Sequence, residues 1–310
     1  MIRIVGILQL FFRKKSKDRL IFIGDIMLEI KNLSKSYLDK KVIKNINLQI
    51  DDNEIVSVVG SNGCGKTTLF KIIANLINPD TGSVSFHAVV TDYQLVSFLS
   101  EERTVMMDCT VNQQLKLIER MNRRDKISER LIDILEIDKK LLGYKIENLS
   151  KGNKQKIALA SCLIKDCPIY IFDEPFTALD CDNIDILVKV IKMLKYHHKM
   201  VLVSSHIYQP INQIADRYIY LKSARIALNK TRKELDLDER TVVETNETEM
   251  FDDDFILCSY KKDDMYVYII NSFDSAMKFS RRLISRKKEC HLRKITFQDF
   301  ISITDLNLLQ

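Results

Sequence analysis

The 310-residue sequence is notable first for what it lacks. No stretch reaches the roughly 18–20 apolar residues of a membrane-spanning helix, so if the protein serves a membrane, another chain supplies the pore. Seven cysteines are scattered without a CxxC pair, which argues against a zinc site or a disulfide framework and fits a reduced, cytoplasmic protein. There is no strong charge imbalance either: a net charge of +6 singles out neither nucleic acid nor an anionic membrane surface. Glycine is scarce, with eight in the whole chain, and residues 229–310 contain neither glycine nor proline. What remains, 46% hydrophobic and 29% charged, is the composition of an ordinary globular protein of one large domain, or of one with a smaller companion.

Against that scarcity, three glycines fall within six positions of one stretch, Gly60-Ser-Asn-Gly-Cys-Gly-Lys-Thr-Thr68. The apolar run Glu54–Val59 before it reads as a buried strand, and Leu69–Leu76 after it as a helix. Strand, glycine loop and helix in that order form a cradle in which backbone N–H groups and a helix N-terminus meet anionic phosphate. Gly60, Gly63 and Gly65 let the backbone curl, with Ser61, Asn62, Cys64 and Thr68 completing the loop. Lys66 is placed to reach the β- and γ-phosphates, and Thr67 to offer its hydroxyl to Mg²⁺.

Residues 1–26 hold a short apolar segment, Ile4–Phe12, followed by Arg-Lys-Lys, with the charge on the wrong side for a signal peptide. Two readings stand: an upstream extension with Met27 as the true start, or a weak amphipathic anchor. The first is preferred because the domain pattern begins cleanly at Met27. From there the chain reads as two alternating strands, Met27–Leu33 and Val42–Ile50, then Ser83–Phe86 and Tyr93–Leu99. Tyr37, at a strand end, fits either half-buried packing or a platform for a base. Thr110 reads as the N-cap of a helix to about Met121, and Ser128–Ile137 as a second helix.

Asn148-Leu-Ser-Lys-Gly-Asn-Lys-Gln-Lys156 leads into another helix, so Ser150 and Gly152 stand at a second N-terminus open to an anion; alone, the motif is a plain helix cap. Pro168–Phe172 is a buried strand ending in Asp173-Glu174-Pro175. Two carboxylates at the carboxyl end of a buried strand call for a nearby positive charge, which Mg²⁺-nucleotide supplies. Lys199–His206 is a further buried strand with His206 at its end. Ile214–Asp216 and Arg217–Leu228 read as a strand hairpin closing the domain. Beyond it, Glu234–Asp254 is acidic and Lys278–Lys294 basic, and such runs most often form solvated faces. Phe255–Ser259 with Met265–Ile270, a helix over Ser275–Ser285 and a strand over Cys290–Ile295 predict a small α+β appendage.

The phosphate loop, a helical insert, LSKGNKQK, IYIFDEP, ALD and SSH occur here in the order and spacing of the ATP-binding cassette (ABC) ATPases. The resemblance covers about Met27 to Leu228. It implies a P-loop NTPase of ABC type: an α/β core with a β subdomain and a helical subdomain, the latter over about 101–150, followed by the accessory region 229–310. Lys151, in place of the family's first glycine, and Phe98-Leu-Ser-Glu-Glu-Arg103 resemble the ABC-2 exporter group. Lys294–Thr304 resembles the tail of that group's longer members.

By this resemblance Tyr37 stacks on adenine, Asp173 holds the Mg²⁺ shell, Glu174 is the general base, and His206 contacts the γ-phosphate. Asp180 lies in the loop that communicates across the dimer, and Ser150 and Gly152 cap the ATP held by a second copy. Glu101 stands where most relatives carry a glutamine and is expected in the metal shell. The implied function is ATP hydrolysis with Mg²⁺, powering a separately encoded permease from the inner face of the cell membrane. It would act as a homodimer or heterodimer, with no nucleic acid expected. The alternative is a soluble ABC ATPase acting on ribosomes or nucleic acid. The single phosphate loop and short helical insert argue against it, and the intact Lys66, Asp173 and Glu174 argue against an inactive regulatory cassette.

Overall fold

The computed structural model describes residues 26–87, 95–100, 105–124, 126–177, 179–246, 251 and 253–306. The chain divides into two compact units, the first ending at Ile226 and the second beginning at Ala227. In chain order the first holds β1 (Met27–Tyr37), β2 (Lys40–Ile50), β3 (Ile55–Val59), α1 (Lys66–Ile73), β4 (Thr81–His87) and β5 (Val96–Leu99). Next come α2 (Val111–Met121), α3 (Ile127–Ile134), α4 (Lys151–Ile164), β6 (Ile169–Phe172) and α5 (Cys181–Tyr196). β7 (Met200–Ser204), α6 (Tyr208–Ile214), β8 (Arg217–Lys222) and β9 (Arg225–Thr231) follow, and the division falls within β9.

β1 and β2 alternate apolar and polar residues, so each buries one face and leaves the other wet. With β4 they form an antiparallel sheet in the order β2-β1-β4. β3, β6 and β7 are buried at every position, as strands covered on both faces must be. They belong to a six-stranded sheet ordered β5-β6-β7-β3-β8-β9, parallel from β5 through β8. α1 contributes Leu69, Phe70, Ile72 and Ile73 to a core shared by both sheets. Because β6, β7 and β3 are parallel neighbours, their carboxyl ends lie side by side, and the loops that follow them converge.

The helical segment is pinned by its caps. Thr110 Oγ1 accepts from Gln113 N–H while Gln113 Oε1 accepts from Thr110 N–H, a reciprocal box that starts α2 where the sequence placed it. Asp166, just past α4, accepts from Arg124 beyond α2 and from Lys199 Nζ before β7 at 3.0 Å, tying the segment to the core.

Three local expectations are corrected. The helix expected over Ser128–Ile137 is α3, Ile127–Ile134, closed by left-handed Glu136 (φ 50°). α1 begins at Lys66 and ends at Ile73, earlier than Leu69–Leu76, because left-handed Gly65 (φ 114°) is itself the N-cap and left-handed Asn75 (φ 56°) unwinds the end. Ile214–Asp216 is not strand. Ile214 closes α6, and the Asp216 carboxylate accepts from Ile55 N–H at 2.9 Å before β8 starts.

The second unit contains α7 (Arg232–Asp236), β10 (Thr241–Thr245), β11 (Ile256–Lys262), β12 (Met265–Ile270), α8 (Phe273–Ser285), β13 (Cys290–Lys294) and α9 (Phe297–Leu306). Its four strands form an antiparallel sheet ordered β11-β12-β10-β13. Alternation along β10 and β12 serves two cores. Val243, Tyr268 and Ile270 meet Ala276, Phe279 and Leu283 of α8. Val242, Val267 and Ile269 meet Phe300 and Ile303 of α9. The acidic and basic runs are not simply solvated faces. Arg282 pairs with Asp253 at 2.7 Å, and Arg293 with Glu244 at 2.8 Å and with Asp299 at 2.6 Å. Burial pushes Asp299 up, but hydrogen bonds from Arg293 and Thr296 outweigh it and hold the carboxyl below its ordinary range.

Candidate nucleotide-binding site

The phosphate loop leaves the carboxyl end of β3 through Gly60 and enters α1 through Gly65. At Gly65 a Cβ would stand 2.5 Å from the Val42 carbonyl oxygen, and at Gly60 2.6 Å from that of Leu221. Both glycines are therefore required by close backbone approach as well as by positive φ. Gly65 supplies no side-chain cap, so the first N–H groups of α1 face the loop and are available to an anion. Lys66 is only 6% exposed, and its Nζ donates to Gly60 O at 2.8 Å. The Cys64 thiol is partly buried, and burial pushes its pKa up.

Opposite the loop, the chain leaves β6 through Asp173 and Glu174, 1% and 6% exposed. Asp173 N–H donates to Leu99 O at 2.9 Å. Glu174 is left-handed (φ 49°), a conformation that costs a non-glycine residue about 1–2 kcal/mol. Its Oε1 lies 3.8 Å from Lys66 Nζ and its Oε2 2.8 Å from His206 Nδ1, so one carboxylate links the ends of β3, β6 and β7. Pro175 O, the next acceptor in the chain, receives a hydrogen bond from Gln155 Nε2 of α4.

Among the described residues Asp173 Oδ2 and Glu174 Oε1 are buried without a hydrogen-bond donor. Buried carboxylate oxygens left in that state are costly unless a cation completes them. Two hard oxygen donors beside a phosphate cradle, with Thr67 in the first turn of α1, fit Mg²⁺.

The structure thus brings Lys66, Asp173, Glu174 and His206 together. Tyr37 ends β1, the residue 48% exposed, and Lys35 Nζ lies 5.8 Å from its ring centre. Ser150 is the exposed N-cap of α4, its hydroxyl accepting from Asn153 N–H at 3.3 Å, and Gly152 sits in the first turn. Asp180 caps α5 through Asn183 N–H at 2.9 Å. Glu101 and the segment 1–25 lie outside the described residues. Sequence reasoning gave no role to Ser204 or Gln155, which hold the Asp173–Pro175 turn. The available signal was a serine ending an otherwise apolar strand.

Residues 43–177 match the ABC transporter family model. An ABC transporter ATP-binding protein of Methanocaldococcus jannaschii is 33% identical over 203 residues, 64% of this chain and 75% of that protein. The chain belongs to the ABC transporter ATP-binding proteins. The ABC transporter ATP-binding protein NatA of Bacillus subtilis is 29% identical, over 69% of this chain and 94% of that one. A phosphonates import ATP-binding protein of Fusobacterium nucleatum is 27% identical, over 72% and 100%. Among solved structures, an ATP-binding subunit of an ABC transporter superposes with a TM-score of 0.61 at 26% identity, covering 67% of this chain and 91% of its own. A dimeric cassette in a post-hydrolysis state with ADP and phosphate reaches 0.59 at 25%, covering 66% and 98%. As an ABC cassette, this chain is an ATPase that binds ATP and uses Mg²⁺, and such subunits dimerise and work with membrane permeases. None of the described helices is long and apolar enough to cross a membrane.

Proposed function

We propose that this ABC ATPase powers an exporter of the ABC-2 type, as one of two cassettes bound to a separately encoded permease at the inner face of the cell membrane. The observation that carries the reading of the site is the pair of buried oxygens without a hydrogen-bond donor, Asp173 Oδ2 and Glu174 Oε1, the latter 3.8 Å from Lys66 Nζ of the phosphate cradle. Lys66 releases Gly60 O and engages the β- and γ-phosphates, while N–H groups of the loop and of the first turn of α1 hold the phosphate oxygens. Thr67 and Asp173 hold Mg²⁺, which neutralises charge on the phosphates when bound. Glu174 accepts the proton of the attacking water, and His206, already against Glu174, donates toward the γ-phosphate. Tyr37 stacks on adenine. Ser150 and Gly152 offer an exposed helix start that one chain does not use, and a second copy brings it to the γ-phosphate.

Lys151 and the Phe98–Arg103 and Lys294–Thr304 stretches support export, although an import subunit also stands among the relatives. The comparisons lend no support to a ribosome- or nucleic-acid-directed role. Purifying tagged Glu174→Gln protein from native membranes in mild detergent with Mg-ATP tests the proposal. A membrane-spanning protein in complex with two cassettes is expected. A cassette that fractionates with ribosomes and carries no membrane protein contradicts it.

A further inference from the structure

The Asp173–Glu174 turn is held by a side chain from a neighbouring strand. Ser204 ends β7, wholly buried, and the parallel ladder places it beside Val58 on one side, one residue past the Phe172–Val203 pair on the other. Its hydroxyl therefore stands between the strand that ends in the phosphate loop and the strand that ends in the carboxylates. It donates to Asp173 Oδ1 at 2.6 Å and accepts from Glu174 N–H at 2.8 Å. One hydroxyl thus satisfies the inner oxygen of one carboxylate and the backbone donor of the next residue. It also fixes which Asp173 oxygen stays open, since Oδ1 is occupied and Oδ2 is not. Left-handed Glu174 needs an anchor of this kind, because that backbone conformation is not one it holds unaided.

We infer that Ser204 is a positioning residue for hydrolysis: it sets the Asp173 carboxylate with Oδ2 toward the metal and sets the backbone from which Glu174 reaches the attacking water. The inference rests on the site reading proposed above. It touches neither nucleotide nor metal in this role, so its loss separates metal handling and turnover from nucleotide binding.

The test uses the intact chain and three measurements: steady-state hydrolysis, metal-free ATP binding, and Mn²⁺ affinity followed by electron paramagnetic resonance with a non-hydrolysable ATP analogue. In Ser204→Ala, turnover and Mn²⁺ affinity are each expected to fall about tenfold, the effect of stranding a buried acceptor and donor, with metal-free ATP binding within about twofold. Ser204→Thr, which keeps the hydroxyl, is expected to retain both values within about threefold. Unchanged Mn²⁺ affinity in Ser204→Ala, or ATP affinity falling in step with turnover, overturns the inference. A threonine variant as poor as the alanine one assigns the effect to packing and also overturns it. Glu174→Gln, assayed alongside, isolates the underlying reading: if it hydrolyses ATP normally, the site assignment itself fails, whereas a dead Glu174→Gln beside an unaffected Ser204→Ala removes only Ser204.

Discussion

The two units of this chain handle buried charge in opposite ways. In the first, buried Asp173 and Glu174 each keep an oxygen without a hydrogen-bond donor, in a turn held by the Ser204 hydroxyl of β7, the Leu99 carbonyl of β5 and the Gln155 amide of α4. In the second, buried Asp299 has both oxygens filled: Arg293 reaches both, and Thr296 adds its N–H and hydroxyl. A carboxylate completed by its own chain serves folding, whereas one left incomplete at a strand's carboxyl end waits for a cation. Glu54 Oε2 also lacks a donor, but its carboxylate is paired with Arg217, so the contrast rests on place at a strand's carboxyl end as well as on the open oxygen.

The contrast is sharpest under substitution. Glu174→Gln should lower hydrolysis by about 10³-fold, the scale of a lost general base, while leaving ATP binding and the melting of the second unit unchanged. Steady-state turnover beside equilibrium nucleotide binding checks it, and a fall in both would blur the distinction between the units. Asp299→Ala should do the reverse. Removing the buried carboxylate leaves Arg293 with Glu244 alone and the Thr296 N–H and hydroxyl without their acceptor, and should cost the second unit about 2 kcal/mol, with Mg-ATP binding intact. Urea unfolding with hydrogen exchange over residues 256–294 measures it.

Acid should reproduce that loss in milder form. The folded pKa of Asp299 is depressed, so its stabilisation is fully present above the unfolded value of about 3.9 and is lost as pH falls through the folded value. Exchange rates in α9 rising over that window, and not above it, are expected. The smallest effect belongs to the cap of α2: Thr110→Ala should cost the first unit about 1 kcal/mol and leave the second untouched.

The same contrast explains how far the sequence could be read. In the first unit the chemistry is local. Glycines at fixed spacing, an apolar run ending in Asp-Glu, and a Thr-x-x-Gln cap each declare themselves within a few residues, so the phosphate loop, β6 and the start of α2 were legible. α6 was not, because seven residues carrying Pro210 show no helical period. In the second unit stability comes from partners far apart. Glu244 finds Arg293 across forty-nine residues, so β10, flanked by acid, had no local signature, whereas the Thr296-x-x-Asp299 contact that starts α9 is local and was passed over. Ser204 escaped for a related reason: its role exists only once β6 lies beside β7.

The account turns on the claim that one chain holds only part of a working site, with the α4 start at Ser150 and Gly152 reserved for a second copy. Light scattering of purified Glu174→Gln protein tests it directly. With Mg-ATP the mass should double and without nucleotide it should remain that of one chain, while Glu174→Gln combined with Ser150→Arg should bind ATP and stay a monomer. A mass that does not change on adding Mg-ATP, in protein shown to have bound it, contradicts the account.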